Sequence, residues 1–217
     1  MEERLIKVGI THGDINGIGY EVILKTFSDA RVAELCTPVI YGSSKIAAYH
    51  RKALELPPVN MNIISQAEDA GINRVNIINC VDDETKVELS QSTSIAGEAA
   101  FLALEAAVTD LKRGAVDVLL TAPINKHNIQ NDQFHFPGHT EYLEERFGGV
   151  GRKALMILMK DGLRVALVTG HIPLAEVPSR ITVEDRVEIA HIQSVAQTGL
   201  RDCKTTYCRA FIESSCR

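Results

Sequence analysis

The strongest constraint on the fold is a repeated order of strand, glycine or proline break, and amphipathic helix. Ile6–Thr11 has the pattern of a strand, and Tyr20–Phe27 places its apolar residues on one side of a helix. Thr37–Gly42 is a second strand pattern, and either Ser43 or Ser44 can cap the helix that follows. Strands that alternate with helices are typical of α/β proteins. The sequence therefore predicts an α/β fold.

The second half of the chain continues this order and adds a hairpin. Ile95–Arg113 shows apolar residues at helical spacing, and Gly114 is placed to end that helix. Val116–Thr121 then has the pattern of a strand. Two apolar runs, Ala154–Met159 and Leu163–Thr169, flank an Asp-Gly pair, which is a hairpin signal. The hairpin predicts that the sheet is mixed.

Composition excludes several classes of protein. Hydrophobic residues make up 45% and charged residues 24% of the 217, the balance of an ordinary globular protein. The net charge of −5 and the lack of a basic run argue against a nucleic-acid-binding protein. No apolar run is long enough for a membrane span, and the first residues do not resemble a signal peptide. We therefore expect a cytoplasmic protein without a nucleic-acid or membrane partner.

Two motifs follow predicted strands in the first 130 residues. Gly13–Gly19 can present backbone N–H groups to an anion at a helix N-terminus. It matches neither a P-loop nor the Gly-x-Gly-x-x-Gly dinucleotide motif, and a tight strand-to-helix turn explains it equally well. Thr121–Lys126 follows a buried strand, where α/β proteins often bind ligands. Lys126 can hold a phosphate or carboxylate there, or be an ordinary solvated loop lysine.

Two further motifs each place a histidine in a turn that contains glycine and proline. They are Phe136–Glu141, with His139, and Val168–Leu174, with His171 directly after a predicted strand. Imidazole serves as a metal ligand and as an acid or base near neutral pH. Two histidines alone do not make a metal site, and a lone histidine is often structural. The remaining histidines have no comparable setting.

Taken in order, the four motifs resemble the 4-hydroxythreonine-4-phosphate dehydrogenase family. They read Gly-Asp-x-x-Gly-Ile-Gly, Thr-Ala-Pro-Ile-Asn-Lys, Pro-Gly-His-Thr-Glu and Val-Thr-x-His-Ile-Pro-Leu. The resemblance runs from residue 4 to about residue 197. It implies the two-domain α/β architecture of isocitrate and isopropylmalate dehydrogenases, incomplete in this chain, and a homodimer with its active site in the interdomain cleft.

The resemblance also implies a reaction and its cofactors. The C3 hydroxyl of 4-phosphooxy-L-threonine is oxidised with NAD or NADP, and the 3-oxo acid loses CO2 to give 3-amino-2-oxopropyl phosphate in vitamin B6 biosynthesis. A divalent metal, Zn, Mg, Mn or Co, is held by three histidines drawn from both subunits. By the same resemblance His139 and Thr140 contact the substrate, and His171 is the first metal ligand. Gly170 stands where relatives have threonine. No catalytic or cofactor-binding residue is assigned.

The last residues depart from the family. Its second and third metal histidines lie in Asn-Pro-His-Ala-Gly and Tyr-His-Asp-Gln segments, and neither occurs here. Residues 200–217 lack periodicity and contain three of the five cysteines. With chosen codons and a shifted frame, they back-translate to a segment that ends Asn-Pro-His-Ala. We therefore expect residues 1–197 to be the family-like region and 198–217 an out-of-frame tail, which contributes no correctly patterned strand.

Two alternatives stay open at this point. A paralogous dehydrogenase of another four-carbon phosphorylated hydroxy acid, such as a threonate or erythronate phosphate, would share the motifs. A non-catalytic fragment that only binds a phosphorylated metabolite would share them too. Turnover with NAD or NADP separates the second alternative from an enzyme, and the choice of substrate separates the first.

Overall fold

The computed structural model describes residues 5–148, 154–160, 163–182 and 211–213. The strands are β1 Lys7–Thr11, β2 Thr37–Gly42, β3 Met61–Ile64, β4 Val75–Asn79, β5 Val118–Thr121, β6 Ile157–Lys160, β7 Leu163–Ala166 and β8 Phe211–Glu213. The helices are α1 Gly19–Phe27, α2 Val32–Leu35, α3 Ser44–Ala53, α4 Ser94–Arg113, α5 His139–Phe147 and α6 Val177–Arg180. Short 3-10 turns occur at Ala67–Asp69 and Leu174–Glu176.

The chain forms two compact units. The first contains Met1–Phe147 and Arg209–Arg217, and the second contains Gly148–Cys208. The first unit holds a six-stranded sheet in the order β3-β4-β2-β1-β5-β8, and every pairing in it is parallel. Helices connect β1 to β2, β2 to β3 and β4 to β5, which confirms the predicted α/β class. In the described part of the second unit, β6 and β7 form an antiparallel hairpin.

The hairpin was predicted correctly, but the predicted mixed sheet is not found among the described residues. β6 and β7 form a two-stranded sheet of their own, separate from the parallel one. An Asp-Gly turn and two apolar runs specify local antiparallel pairing. They carry no information about which other strands the hairpin joins, because that depends on contacts distant in sequence.

Both faces of the parallel sheet are covered, as parallel sheets require. On one face α4 packs its small and aromatic residues, including Ala100, Phe101 and Leu104, against Val39 and Tyr41 of β2. The opposite face is a second cluster under α1 and α2, whose members are Ile10, Ile23, Phe27, Ala33, Ile40, Val75 and Ile77. All six residues of β2 are buried, so this strand lies at the centre of the core.

The helix boundaries have local causes. Thr93 caps α4 by accepting a hydrogen bond from the N–H of Ala96, and Ser43 caps α3 in the same way through Ile46. Gly114 ends α4 with a left-handed φ of 78°, a conformation that glycine adopts without strain. Of the two serines predicted as caps, Ser43 is the cap of α3, and the predicted end of α4 at Gly114 is confirmed. In the described residues no helix is long and apolar enough to cross a membrane.

The predicted tail contributes one short strand. Phe211–Glu213 pairs parallel with β5, with Phe211 opposite Leu119. The expectation that residues 200–217 supply no patterned strand is therefore wrong at these three positions, and the rest of the tail lies outside the described residues. The edge of a sheet presents backbone N–H and C=O groups that any extended segment can pair with, whatever its side-chain pattern.

Candidate functional site

The candidate site begins where β1 and β5 end side by side. Thr11 lies opposite Thr121 in the parallel register, so the two loops that follow start at the same edge of the sheet. The N–H of Asp14 donates to the Pro123 carbonyl at 2.9 Å, which joins the loops. Gly13 has a φ of +70°, and a β-carbon on it would lie 2.2 Å from the Pro123 oxygen. Only glycine permits this contact.

The Gly13–Gly19 motif forms a turn held by its own backbone groups. Besides the Asp14 N–H, the N–H of Asn16 donates to Asp14 Oδ1 at 2.8 Å, and the N–H of Gly17 donates to the Asp14 carbonyl at 3.0 Å. Three of the loop's N–H groups are therefore engaged inside the protein and do not face a ligand. Of the two interpretations of this motif, the structure supports the tight strand-to-helix turn.

Asp14 and Asn16 tie this turn to neighbouring elements. Asp14 Oδ2 accepts from Asn128 Nδ2 at 3.2 Å, beyond the end of β5. Asn16 Nδ2 donates to the Gln91 carbonyl at 2.9 Å and to Thr93 Oγ at 3.1 Å, before α4. Both side chains are buried and hydrogen-bonded, as buried polar groups must be to avoid a desolvation cost. They fix the loops in place.

Three stacked, buried aromatic rings, those of His12, Tyr20 and His50, lie next to the turn. The His12 ring stacks on Tyr20 with centroids 5.1 Å apart, and Tyr20 stacks on His50 at 5.2 Å. Neither His12 nitrogen reaches hydrogen-bonding geometry with a described residue, and the ring is fully buried. Burial lowers the pKa of His12 to about 4, so the ring is neutral at pH 7. His50 Nε2 donates to the Ile15 carbonyl oxygen at 2.7 Å.

The loop after β5 is shaped by Asn125. Its Oδ1 accepts from the N–H of His127 at 3.0 Å and of Asn128 at 3.4 Å, and its Nδ2 donates to Ser92 Oγ at 3.2 Å. Such an Asx turn fixes the backbone of the residue between Asn125 and His127. Lys126 occupies that position, and its side chain is exposed.

His139 and Thr140 open helix α5. His139 is 2% exposed and Thr140 is half-buried. The histidine was predicted to lie in a turn. Instead the turn precedes it and His139 is the first helical residue. An aromatic cluster anchors this helix on α4, because Tyr142 packs against Phe101 and Phe134 with ring centroids 6.4 and 5.3 Å apart.

Charged contacts add to the anchoring of α5. Glu105 of α4 accepts hydrogen bonds from both Tyr142 and Arg146 of α5. Burial and the Glu105 carboxylate raise the pKa of Tyr142 well above its ordinary value, so the phenol stays a hydrogen-bond donor. The start of α5 is therefore positioned by ring packing and by hydrogen bonds from α5 to Glu105 of α4.

The second unit carries His171. It follows β7 in a bend and has a left-handed φ of 54°. The strand before it ends at Ala166 rather than at Thr169 as predicted, so His171 does not come directly off a strand. The described residues contain no group of three or more histidine, cysteine, aspartate or glutamate side chains arranged to hold a metal. His171 is thus a single candidate donor.

Comparison with known proteins gives the family. The sequence profile described as "Pyridoxal phosphate biosynthetic protein PdxA" matches residues 34–205. The 4-hydroxythreonine-4-phosphate dehydrogenase of Bacteroides thetaiotaomicron is 57% identical over 194 residues, which are 88% of this chain and 53% of that protein. This chain belongs to the PdxA family.

Two further relatives bear on fold and substrate. A crystal structure of a 4-hydroxythreonine-4-phosphate dehydrogenase from Burkholderia phymatum matches with a TM-score of 0.77 and 27% identity, over 92% of this chain and 61% of that one. A Clostridium botulinum protein provisionally named a D-threonate 4-phosphate dehydrogenase is 29% identical over 204 residues, 91% of this chain and 60% of its own length. The chain spans about half the length of its PdxA-family relative from Bacteroides.

The structure places residues of two predicted motifs near each other. Lys126 lies beside Gly138, the residue before His139: a β-carbon on Gly138 would lie 3.8 Å from Lys126 Nζ. Residues that sequence reasoning missed are Asn128, which bonds to Asp14, and His12, for which the sequence predicts no special setting. The Asn128 contact joins positions 114 residues apart, so no local pattern reveals it.

Proposed function

We propose that the complete protein is a 4-hydroxythreonine-4-phosphate dehydrogenase. It oxidises the C3 hydroxyl of 4-phosphooxy-L-threonine with NAD or NADP, and the 3-oxo acid then loses CO2 to give 3-amino-2-oxopropyl phosphate for vitamin B6 biosynthesis. Membership of the PdxA family and the 57% identical relative of that name support this. The structural observation that carries it is that Lys126, in the loop after β5, lies beside Gly138, directly before His139 and Thr140 at the start of α5.

In this proposal the residues of the first unit bind and orient the substrate. His139 and Thr140 are hydrogen-bonding side chains at the start of an anchored helix, so they can fix the substrate in one orientation. A nicotinamide, when bound, supplies the acceptor for the C3 hydride. The rigid anchoring of α5 suits such a site, because small displacements of a positioned substrate cost much of the rate.

The described residues do not by themselves accommodate the cofactors. The N–H groups of Asp14, Asn16 and Gly17 are engaged internally, so these three groups of the Gly13–Gly19 turn do not bind a dinucleotide phosphate. A divalent metal takes three or more protein donors, and His171 is one. The use of NAD or NADP and of Zn, Mg, Mn or Co therefore rests on family membership, and no step is assigned to the metal.

We propose His171 as one metal ligand. The 217-residue chain should bind Zn²⁺, Mn²⁺ or Co²⁺ only weakly. An extended variant, in which residues 198–217 are replaced by the C-terminal part of the Bacteroides relative, should bind the metal more tightly. His171→Ala in that variant should weaken binding again, as measured by calorimetry. Equal affinity with and without the imidazole would refute the assignment.

Turnover by the extended variant tests the function. It should produce NADH or NADPH from 4-phosphooxy-L-threonine in a metal-dependent way. His139→Ala or Thr140→Val should lower kcat/KM roughly tenfold to a hundredfold, the loss expected for one hydrogen bond to a charged substrate, and should leave the metal bound. His127→Gln, an exposed histidine of the neighbouring loop, is the matched control. Unchanged kcat/KM in both variants would show that the two residues are structural.

The alternatives predict different results in the same assay. A higher kcat/KM on D-threonate 4-phosphate would move the assignment to the activity for which the Clostridium relative is named. Binding of the substrate without any reduction of NAD or NADP would favour a non-catalytic binding protein. We also propose a homodimer, and sedimentation of the extended variant as a monomer would refute it.

We propose, too, that residues 198–217 are read out of frame. The family match extends to residue 205, which is beyond the proposed boundary at residue 198, so the position of the frameshift has to be determined. Resequencing the DNA that encodes residues 190–217 decides this directly. A frame that continues as an Asn-Pro-His-Ala-Gly segment supports the proposal, whereas confirmation of the printed sequence would refute it.

A further inference from the structure

Lys126 is a cation that pairs with no carboxylate among the described residues, although other surface lysines do. Lys25 contacts Glu21 at 2.5 Å and Lys45 contacts Asp83 at 3.3 Å. The backbone of Lys126 is held by a side-chain hydrogen bond. Gln130 Nε2 donates to the Lys126 carbonyl at 3.2 Å and to the Phe136 carbonyl at 2.9 Å. Gln130 thus links the loop after β5 to the segment that leads into α5.

The Lys126 side chain extends to the start of α5. Its Cε and Nζ lie 3.7 and 3.8 Å from the position that a β-carbon on Gly138 would occupy. His139 and Thr140 follow directly, and the first N–H groups of a helix have no partner within it. The Lys126 amine therefore lies near the positive N-terminal end of α5, the helix that begins with the two proposed substrate residues.

The carboxylate of Glu141 lies near the same position. Glu141 Oε2 lies 3.5 Å from the same Gly138 position. Without a positive charge nearby, this carboxylate would repel an anionic substrate. The positive charge of Lys126 offsets the negative charge of Glu141. An anionic group of the substrate can therefore be accommodated beside them.

We propose that Lys126 binds an oxyanion of the substrate, its phosphate or its carboxylate, beside His139 and Thr140. The inference rests on the proposed function for the identity of the substrate. In this proposal Lys126 contacts the substrate directly and contributes to its affinity. Its role is not that of an ion-pair partner of Glu141. A lysine ammonium is suited to this as a compact point charge with three donors.

Binding to the 217-residue chain tests the proposal, with inorganic phosphate, L-threonine and 4-phosphooxy-L-threonine as probes in calorimetry. Lys126→Gln should weaken binding of 4-phosphooxy-L-threonine roughly tenfold, because a charge-assisted hydrogen bond is lost, and Lys126→Arg should restore most of it. Lys52→Gln, which removes the same charge from an exposed position on α3, should change it less than about twofold. If Lys126→Gln weakens phosphate binding, the oxyanion is the phosphate. If it weakens only L-threonine binding, the oxyanion is the carboxylate.

Several results would overturn the proposal. The first is unchanged binding in Lys126→Gln, and the second is the absence of binding of any probe to the wild-type chain. The third is equal loss of thermal stability in Lys126→Gln and Glu141→Gln without a change in affinity, which would show a purely structural ion pair. Failure of the proposed function looks different. In that case Lys126-dependent binding of phosphate or of L-threonine would persist, but 4-phosphooxy-L-threonine would bind no better than D-threonate 4-phosphate.

Discussion

Acidification should destabilise the first unit through one buried ring, that of His12. The side chain is fully buried against Tyr20, and burial lowers its pKa from 6.5 to about 4. In the unfolded chain the imidazole regains a pKa near 6.5. The unfolded state therefore binds the proton more readily than the folded state. The stability that the neutral ring provides is complete above pH 6.5 and is lost as the pH falls from 6.5 to about 4.

The size of the effect follows from the two pKa values. A difference of about 2.5 corresponds to about 3 kcal/mol when the pH falls through the whole range. Between about pH 7 and about pH 5 the loss is about 2 kcal/mol, because the folded-state ring is still mostly neutral there. Burial also lowers the pKa of His50, which stacks on the other face of Tyr20, so this second imidazole acts in the same direction.

Urea unfolding at several pH values between about 7 and 5 measures this effect. His12→Leu removes one titrating group, so the slope of the free energy of unfolding against pH should fall, whatever the substitution costs at pH 7. His127→Gln removes an exposed histidine and should leave the slope unchanged. The same slope in the wild type and in His12→Leu would refute the claim that His12 is buried as a neutral ring.

Two other perturbations have clear outcomes. Gly97→Ala should destabilise the fold by about 2 kcal/mol or more in urea unfolding, because its β-carbon would lie 1.8 Å from the Asn128 carbonyl oxygen. Gly170→Ala, where no described atom lies within 4 Å, should change stability by less than about 0.5 kcal/mol, and equal effects would contradict this reasoning. Burial raises the pKa of Cys80 to about 12 and that of Cys36 by less. Cys80 should therefore react with iodoacetamide at least about tenfold more slowly than Cys36 in peptide mass spectrometry, and equal rates would show that Cys80 is accessible.

Local patterns predicted the elements that local physics specifies. α4 was found from its apolar spacing, and its end was found from Gly114, because a glycine in the left-handed conformation is a direct stop signal. β3 and β4 were missed. Their short apolar runs, Met61–Ile64 and Val75–Asn79, have no turn signal of the strength of Asp-Gly, and their pairing with each other and with β2 depends on tertiary contacts.

The candidate site was predicted as separate motifs rather than as an arrangement. Four segments were identified, and Lys126 of one lies beside Gly138 of another. The connections that hold them were not predictable. Asp14 bonds to Asn128 across 114 positions, and the burial of His12 depends on the packing of Tyr20 against it. Such contacts exist only once the sheet has placed β1 beside β5.

The glycine motif acquires a different meaning from this arrangement. The N–H groups of Asp14, Asn16 and Gly17 are bonded inside the protein and do not bind an anion. Gly13 lets the backbone of Asp14 reach Pro123, and this fixes the loop that carries Lys126. From there Gln130 bonds to the segment before α5. The motif closest to the N-terminus thus acts on the proposed substrate site through a chain of backbone and side-chain hydrogen bonds, and its contribution is to position residues that lie more than a hundred positions further along the chain.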